Sequence, residues 1–126
     1  MFRVVAYFTY DTGYEREAKN LRISLDQLDI PNDLDGIVSL GSWRLNCGFK
    51  PRYILQKMEQ YPDTDIVYLD CDAIVMQYPK LFDIMEEDIG YHLKDGRELL
   101  SGTLFFKNSP LAIQLLQLWL AEQIRN

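Results

Sequence analysis

Asp70 and Asp72 stand one residue apart where an apolar run, Ile66 to Leu69, stops, and a second apolar run, Ala73 to Met76, begins at once beyond them. The pattern is that of a buried strand delivering two acids to the edge of a sheet. An ionised carboxylate among apolar neighbours is costly unless a cation or strong donors compensate it. Two carboxylates so placed need a positive partner. Divalent Mg or Mn are the natural candidates, because these hard ions take carboxylate and phosphate oxygens together. A plainer alternative has Asp70 capping the next turn and Asp72 pairing with a Lys or Arg; the strand-like flanks on both sides weigh against it.

The elements that must carry these acids are legible from periodicity. Phe2 to Thr9 is a β-branched and aromatic run closed by the turn-forming Asp11-Thr12-Gly13. Ala18, Leu21, Leu25 and Leu28 then recur at helical spacing between about Tyr14 and Asp29, with Glu15 and Glu17 in the first turn and Pro31 beyond the end. A second short apolar run, Ile37-Val38, precedes a loop from Gly41 to Gly48. From Phe49, with Pro51 in the first turn, Phe49, Tyr53, Ile54, Met58 and Tyr61 share one face of a second helix. Strand, helix, strand, helix, strand predicts an α/β fold with a mostly parallel sheet and helices on both faces.

In such sheets ligands gather at the carboxyl ends of the strands. The turn from Thr9 to Gly13, the loop before the second helix and the acid pair all fall at that edge. An aromatic-rich turn, a basic residue at a helix start and a metal-type acid pair suit a nucleotide diphosphate.

Further along, Tyr78-Pro79 interrupts the apolar run, and Leu81, Phe82, Ile84 and Met85 predict a short helix. Strands are expected at Ile89 to Leu93 and at Leu99 to Phe106, the second interrupted by Ser101-Gly102, where a glycine permits close approach of a ligand or of backbone. Asn108-Ser109-Pro110 starts a last helix, Leu111 to Ile124, apolar on more than one side. Leu116, Trp119, Leu120 and Ile124 are expected to leave an apolar patch suited to self-association.

Length and composition bound the rest. The 126 residues read as a single domain, 1–126, and 48% hydrophobic content is ample for a core. A formal charge of -6 with scattered Lys and Arg argues against a nucleic-acid partner. Cys47 and Cys71 read as free thiols, since nothing suggests a secreted disulfide framework. No segment approaches the roughly 20 apolar residues of a membrane span, so there is no transmembrane segment and the expected setting is cytoplasmic.

Val5 to Thr9, Lys50-Pro51, Tyr68-Leu69-Asp70-Cys71-Asp72-Ala73 and Ser101-Gly102-Thr103-Leu104-Phe105-Phe106-Lys107-Asn108, in that order, resemble the nucleotide-diphospho-sugar transferases of the GT-A fold. The resemblance implies a glycosyltransferase that moves a sugar from a nucleotide-diphosphate donor, commonly a UDP-sugar, to an acceptor. It implies that Asp70 and Asp72 hold Mn or Mg against the diphosphate. It also implies that Thr9 and Tyr10 lie near the base or ribose, Lys50 near the diphosphate, and Ser101 and Gly102 near the donor sugar. Members of that family usually continue further, often to a metal-ligating His, whereas the one His here, His92, is upstream on an expected strand and reads as an ordinary hydrogen-bonded residue. A fragment that binds the donor without turnover is therefore the first alternative. The second is a phosphohydrolase of the haloacid-dehalogenase type, which places such an acid pair on its first strand and uses its first Asp as nucleophile.

Overall fold

The computed structural model describes residues 1–125. Five strands, β1 (Phe2–Thr9), β2 (Asn32–Ile37), β3 (Asp65–Leu69), β4 (Ile89–Lys94) and β5 (Glu98–Phe106), are interspersed with five helices. The helices are α1 (Tyr14–Gln27), α2 (Trp43–Gly48), α3 (Lys50–Gln60), α4 (Leu81–Ile84) and α5 (Pro110–Arg125). The strands form one sheet in the order β2-β1-β3-β5-β4. β2, β1 and β3 are parallel, β5 runs against β3, and β4 runs against β5, so β5 alone opposes the common direction.

The alternation of side chains along each strand divides the core into two layers. Val4 and Ala6 of β1, Val67 and Leu69 of β3 and Phe105 of β5 face α1, where Ala18, Leu21 and Leu25 meet them. Val5 and Tyr7, Ile66 and Tyr68, and Leu104 and Phe106 face α3 and α5, where Tyr53, Ile54, Met58, Ala112 and Leu116 meet them. A fully buried side chain of Leu, Ile or Phe size contributes roughly 2 kcal/mol relative to exposure, so both layers stabilise the sheet.

α1 ends as its last turn hands over to Asp29, whose φ of 55 is left-handed, and Ile30 N–H donates back to the Leu25 carbonyl at 3.0 Å. β2 starts earlier than its apolar residues suggest and carries Asp33 and Asp35 towards α3. Lys57 donates to Asp33 and is paired with Asp35, each at 2.8 Å, and Arg3 pairs with Asp33 at 2.8 Å. Tyr61 and Tyr53 add hydroxyl donors to Asp33 and Asp35 at 2.7 Å each.

Three sequence expectations need correction. The segment from 41 to 48 is not all loop: Ser42 caps α2 by accepting from Leu45 N–H. The run Ala73 to Met76 is not a strand. It leaves the sheet after a turn in which Ala73 N–H donates to the Asp70 carbonyl, and Val75 N–H is tied to Ser24 of α1. On α5, Leu116 is fully buried and Trp119 packs against the core; Ile124 is exposed as expected, and the other exposed apolar residues are Leu111, Leu115 and Leu118. No helix among the described residues is long and apolar enough to cross a membrane.

Candidate functional site

Asp70 follows the last residue of β3, and its parity is that of Ile66 and Tyr68, so it falls on the α3 side of the sheet at the carboxyl edge. Its N–H donates to the Gly102 carbonyl at 3.0 Å, which extends the β3/β5 ladder by one residue and fixes its backbone. α3 begins at Lys50, and Pro51 preorganises that first turn. The Lys50 ammonium reaches Asp70 Oδ1 at 3.3 Å, the Ser101 carbonyl at 3.0 Å and Ser101 Oγ at 3.2 Å. Tyr68 donates its hydroxyl to the same Asp70 Oδ1 at 3.1 Å. Burial, above all, raises the Tyr68 hydroxyl far above its ordinary value, so it remains a donor at any working pH.

These groups line a cleft of about 730 Å³ between the ends of β1 and β3, α2, and the last turns of α5. Asp70, Cys71 and Asp72 lie along it with Thr9, Lys50 and Ser101. Asp72 is exposed and makes no hydrogen bond or ion pair to the described residues. Cys71 points to the α1 layer, where burial first and the charge of Asp72 second push its thiol up to about 11.

The opposite wall is α2. Trp43, 73% exposed, and Tyr14 of α1 present aromatic surface to the cleft, with Trp119 of α5 beside them. Tyr7 holds α2 from below by donating to the Asn46 carbonyl at 2.6 Å. A second cavity, of about 870 Å³, lies at the β2 edge and is lined by Arg22, Asp26 and Asp29 as well as by Asp33, Asp35 and Lys57, of which the last three are paired with one another. The site is placed at the carboxyl edge.

Of the residues singled out from sequence, Thr9, Lys50, Asp70, Asp72 and Ser101 are brought together in this cleft. Gly102 stands behind Asp70, where a Cβ would come 3.0 Å from Asp70 Oδ2. Tyr10 is placed elsewhere: its ring lies over Gly36 of β2 and against Phe8, outside the cleft lining. His92 is exposed on β4 and makes no side-chain hydrogen bond among the described residues, so it is a solvent-facing residue and not the hydrogen-bonded one expected. Sequence reasoning missed Tyr7, Tyr14, Trp43 and Trp119. Tyr7 carried a signal, since it lies two residues before Thr9 on the same face of β1.

Neither a protein-family model nor a curated protein sequence matches the chain. Among solved structures it is similar, over 98% of its length, to a glycosyltransferase involved in the glycosylation of the major capsid of PBCV-1, with a TM-score of 0.73 at 13% identity. It is also similar, over 99% of its length, to the glycosyltransferase GlyE of Streptococcus pneumoniae TIGR4, with a TM-score of 0.60 at 17% identity. The chain shares its fold with these two proteins. It spans 67% of the first of these proteins and 38% of the second. Within this fold, the acid pair sits where strands β1 and β3 end, and the cleft is lined by residues of α1, α2, α3 and α5.

The residues present suit a hard divalent cation. Asp70 Oδ2 and both oxygens of Asp72 are free of protein donors among the described residues, and all are carboxylate oxygens, the ligand type such ions prefer. Among the described residues no group of three or more His, Cys, Asp or Glu is built to hold a metal. Two carboxylates suffice for an ion whose remaining ligands are phosphate oxygens and water, as is usual for Mg²⁺ with nucleotides.

Proposed function

We propose that this chain is the donor-binding domain of a metal-dependent glycosyltransferase, which transfers sugar from a nucleotide-diphosphate sugar, UDP-linked in the first instance, to an acceptor. The observation that carries the reading is the acid pair: Asp70 and Asp72 share a cleft at the carboxyl edge of a sheet whose fold is that of glycosyltransferases. Asp70 and Asp72 would hold Mn or Mg. When bound, the cation supplies positive charge to the diphosphate that departs from the sugar. The chain's own residues bind and orient. Thr9, at the end of β1, lines the cleft with its hydroxyl bonded to that of Thr12, and in this reading it would lie near the base or ribose. Ser101 lines the same cleft and in this reading would lie near the donor sugar.

Calorimetric titration of UDP into the purified chain, with and without Mn²⁺, tests this. The expected result is binding that needs the metal and is lost in Asp72→Ala, with the thermal unfolding of that variant unchanged because Asp72 is exposed and packs against nothing. Unchanged UDP affinity in Asp72→Ala with Mn²⁺ present would sink the proposal. So would a phosphoryl group trapped on Asp70, the mark of a phosphohydrolase.

A further inference from the structure

Lys50 is an unusual cation. It is 8% exposed and stands at the first residue of a helix, where the macrodipole disfavours positive charge. An ammonium has three protons to donate. Three acceptors surround this one: Asp70 Oδ1 at 3.3 Å, the Ser101 carbonyl at 3.0 Å and Ser101 Oγ at 3.2 Å. The ring of Tyr68 lies beneath it, 4.8 Å from nitrogen to centroid. Its donors are consumed inside the protein, which leaves none for a phosphate.

Asp70 is held asymmetrically by the same contacts. Oδ1 accepts from both Lys50 and Tyr68, whereas Oδ2 accepts from no described residue. Oδ2 occupies the space beside Gly102 that any side chain there would need, since a Cβ would stand 3.0 Å away. The Asp70 side chain is nevertheless 48% exposed, so the carboxylate is fixed at one oxygen and open at the other.

We infer that Lys50, Tyr68 and Gly102 are positioning residues that act on Asp70 and not on the nucleotide: Lys50 and Tyr68 hold Oδ1, Gly102 leaves room for Oδ2, and one oxygen of Asp70 is thereby presented with Asp72 to the cation. The inference rests on the metal site of the proposed function. It differs from what the family resemblance implies, in which Lys50 meets the diphosphate and Gly102 the sugar. Partners that orient a ligating carboxylate are worth about tenfold or more in metal affinity.

The test is UDP binding by calorimetry across a Mn²⁺ series, for the unaltered chain, Lys50→Met, Tyr68→Phe, Gly102→Ala and Asp72→Ala. Positioning predicts that the first three variants need about tenfold more Mn²⁺ for half-maximal UDP binding, and that UDP affinity returns to within about twofold once Mn²⁺ is saturating. A direct phosphate contact predicts the opposite, a UDP affinity that stays about tenfold weak in Lys50→Met at saturating Mn²⁺, and that result overturns the inference. An unshifted Mn²⁺ requirement in Lys50→Met and Tyr68→Phe, while Asp72→Ala loses binding, also overturns it and leaves the metal site standing. No effect of Asp72→Ala overturns the metal site itself. Tyr68→Phe removes only a hydroxyl, so it decides the matter if Lys50→Met does not fold.

Discussion

The Tyr7 hydroxyl donates to the Asn46 carbonyl at 2.6 Å, so a residue of β1 holds the short helix that walls the cleft. Three aromatic neighbours, Phe49, Tyr53 and Tyr68, pack around that ring. Burial, above all, raises the Tyr7 hydroxyl well above the ordinary tyrosine range, which keeps the donor protonated.

Tyr7→Phe is expected to cost about 1 kcal/mol, the net worth of a single hydrogen bond. The larger effect is local. Amide exchange of residues 43–48 should accelerate by more than that of β1 or β3, and mass spectrometry of exchanged peptides measures it. Equal acceleration everywhere would show that the bond supports the whole fold and not α2.

Asp33, Lys57 and Arg3 give stability a defined pH dependence. Burial opposes the Asp33 charge, but hydrogen bonds from Lys57 and Tyr61 and the charges of Lys57 and Arg3 outweigh it and hold its carboxyl below the usual range. A carboxyl lowered on folding stabilises above its unfolded pKa, roughly 3.9, and that contribution is lost as the pH falls through the lower, folded value. Lys57 moves the other way: burial opposes its charge, yet its bonds to Asp33 and Asp35 raise it, so its contribution is complete below the unfolded pKa and fades as the pH rises through the folded one. Asp33→Asn should therefore cost about 2 kcal/mol at neutral pH and nothing once Asp33 is protonated in both states. Denaturant melts across the acid range check it; a constant difference at every pH would refute it.

The two cysteines should separate by reactivity. Cys71 is buried with its thiol pushed up to about 11, while Cys47 is exposed in the cleft wall. Alkylation of the native chain near neutral pH should modify Cys47 and spare Cys71, because the thiolate is the reactive form and needs access. Mn²⁺ with UDP should slow modification of Cys47 at least severalfold, since that residue lines the proposed donor cleft. Peptide mapping of the alkylated protein reads both outcomes.

On α5, Leu116→Ala should cost about 3 kcal/mol, whereas Leu118→Ala should stay within about 0.5 kcal/mol. The first side chain is enclosed between α3 and the sheet; the second is 62% exposed. Chemical denaturation of the two variants decides whether α5 is seated as described.

Tyr10→Ala should change UDP affinity less than about twofold, for its ring rests on Gly36 at the β2 flank and not in the cleft. Thr9→Val, which removes a hydroxyl that lines the cleft, should weaken it more. Calorimetry in the presence of Mn²⁺ compares the two.

What was legible in the sequence follows from range. The abrupt end of an apolar run located Asp70 and Asp72, because strand burial and its termination are local events written in consecutive residues. The parity that aims Asp70 at α3 was also local. The clamp on that aspartate was not, since Lys50 and Ser101 are 51 residues apart and meet only through the β3/β5 pairing. α2 escaped because its six residues are too few to display a helical period, and its one signal was Ser42 as a cap. Asp33 and Asp35 obscured the start of β2 for a related reason: acids inside a strand are tolerated once Lys57 and Arg3 arrive from distant elements. Ala73 to Met76 misled because a continuous apolar run with two β-branched residues is strand-like, yet β3 had already ended in the turn that places Asp70.

The charged row of β2 has a further consequence for the molecule's behaviour in a crowded solution. β2 is the outer strand of the sheet, and an outer strand offers unpaired backbone groups on which another copy can add. A second β2 laid alongside in parallel register would bring Asp33 against Asp33 and Asp35 against Asp35, with Lys57 and Arg3 already committed within each copy. Like charges directly opposed across strands repel. The ion-pair cluster that seats α3 on the sheet thereby also guards one rim of that sheet against pairing with the same rim of another copy.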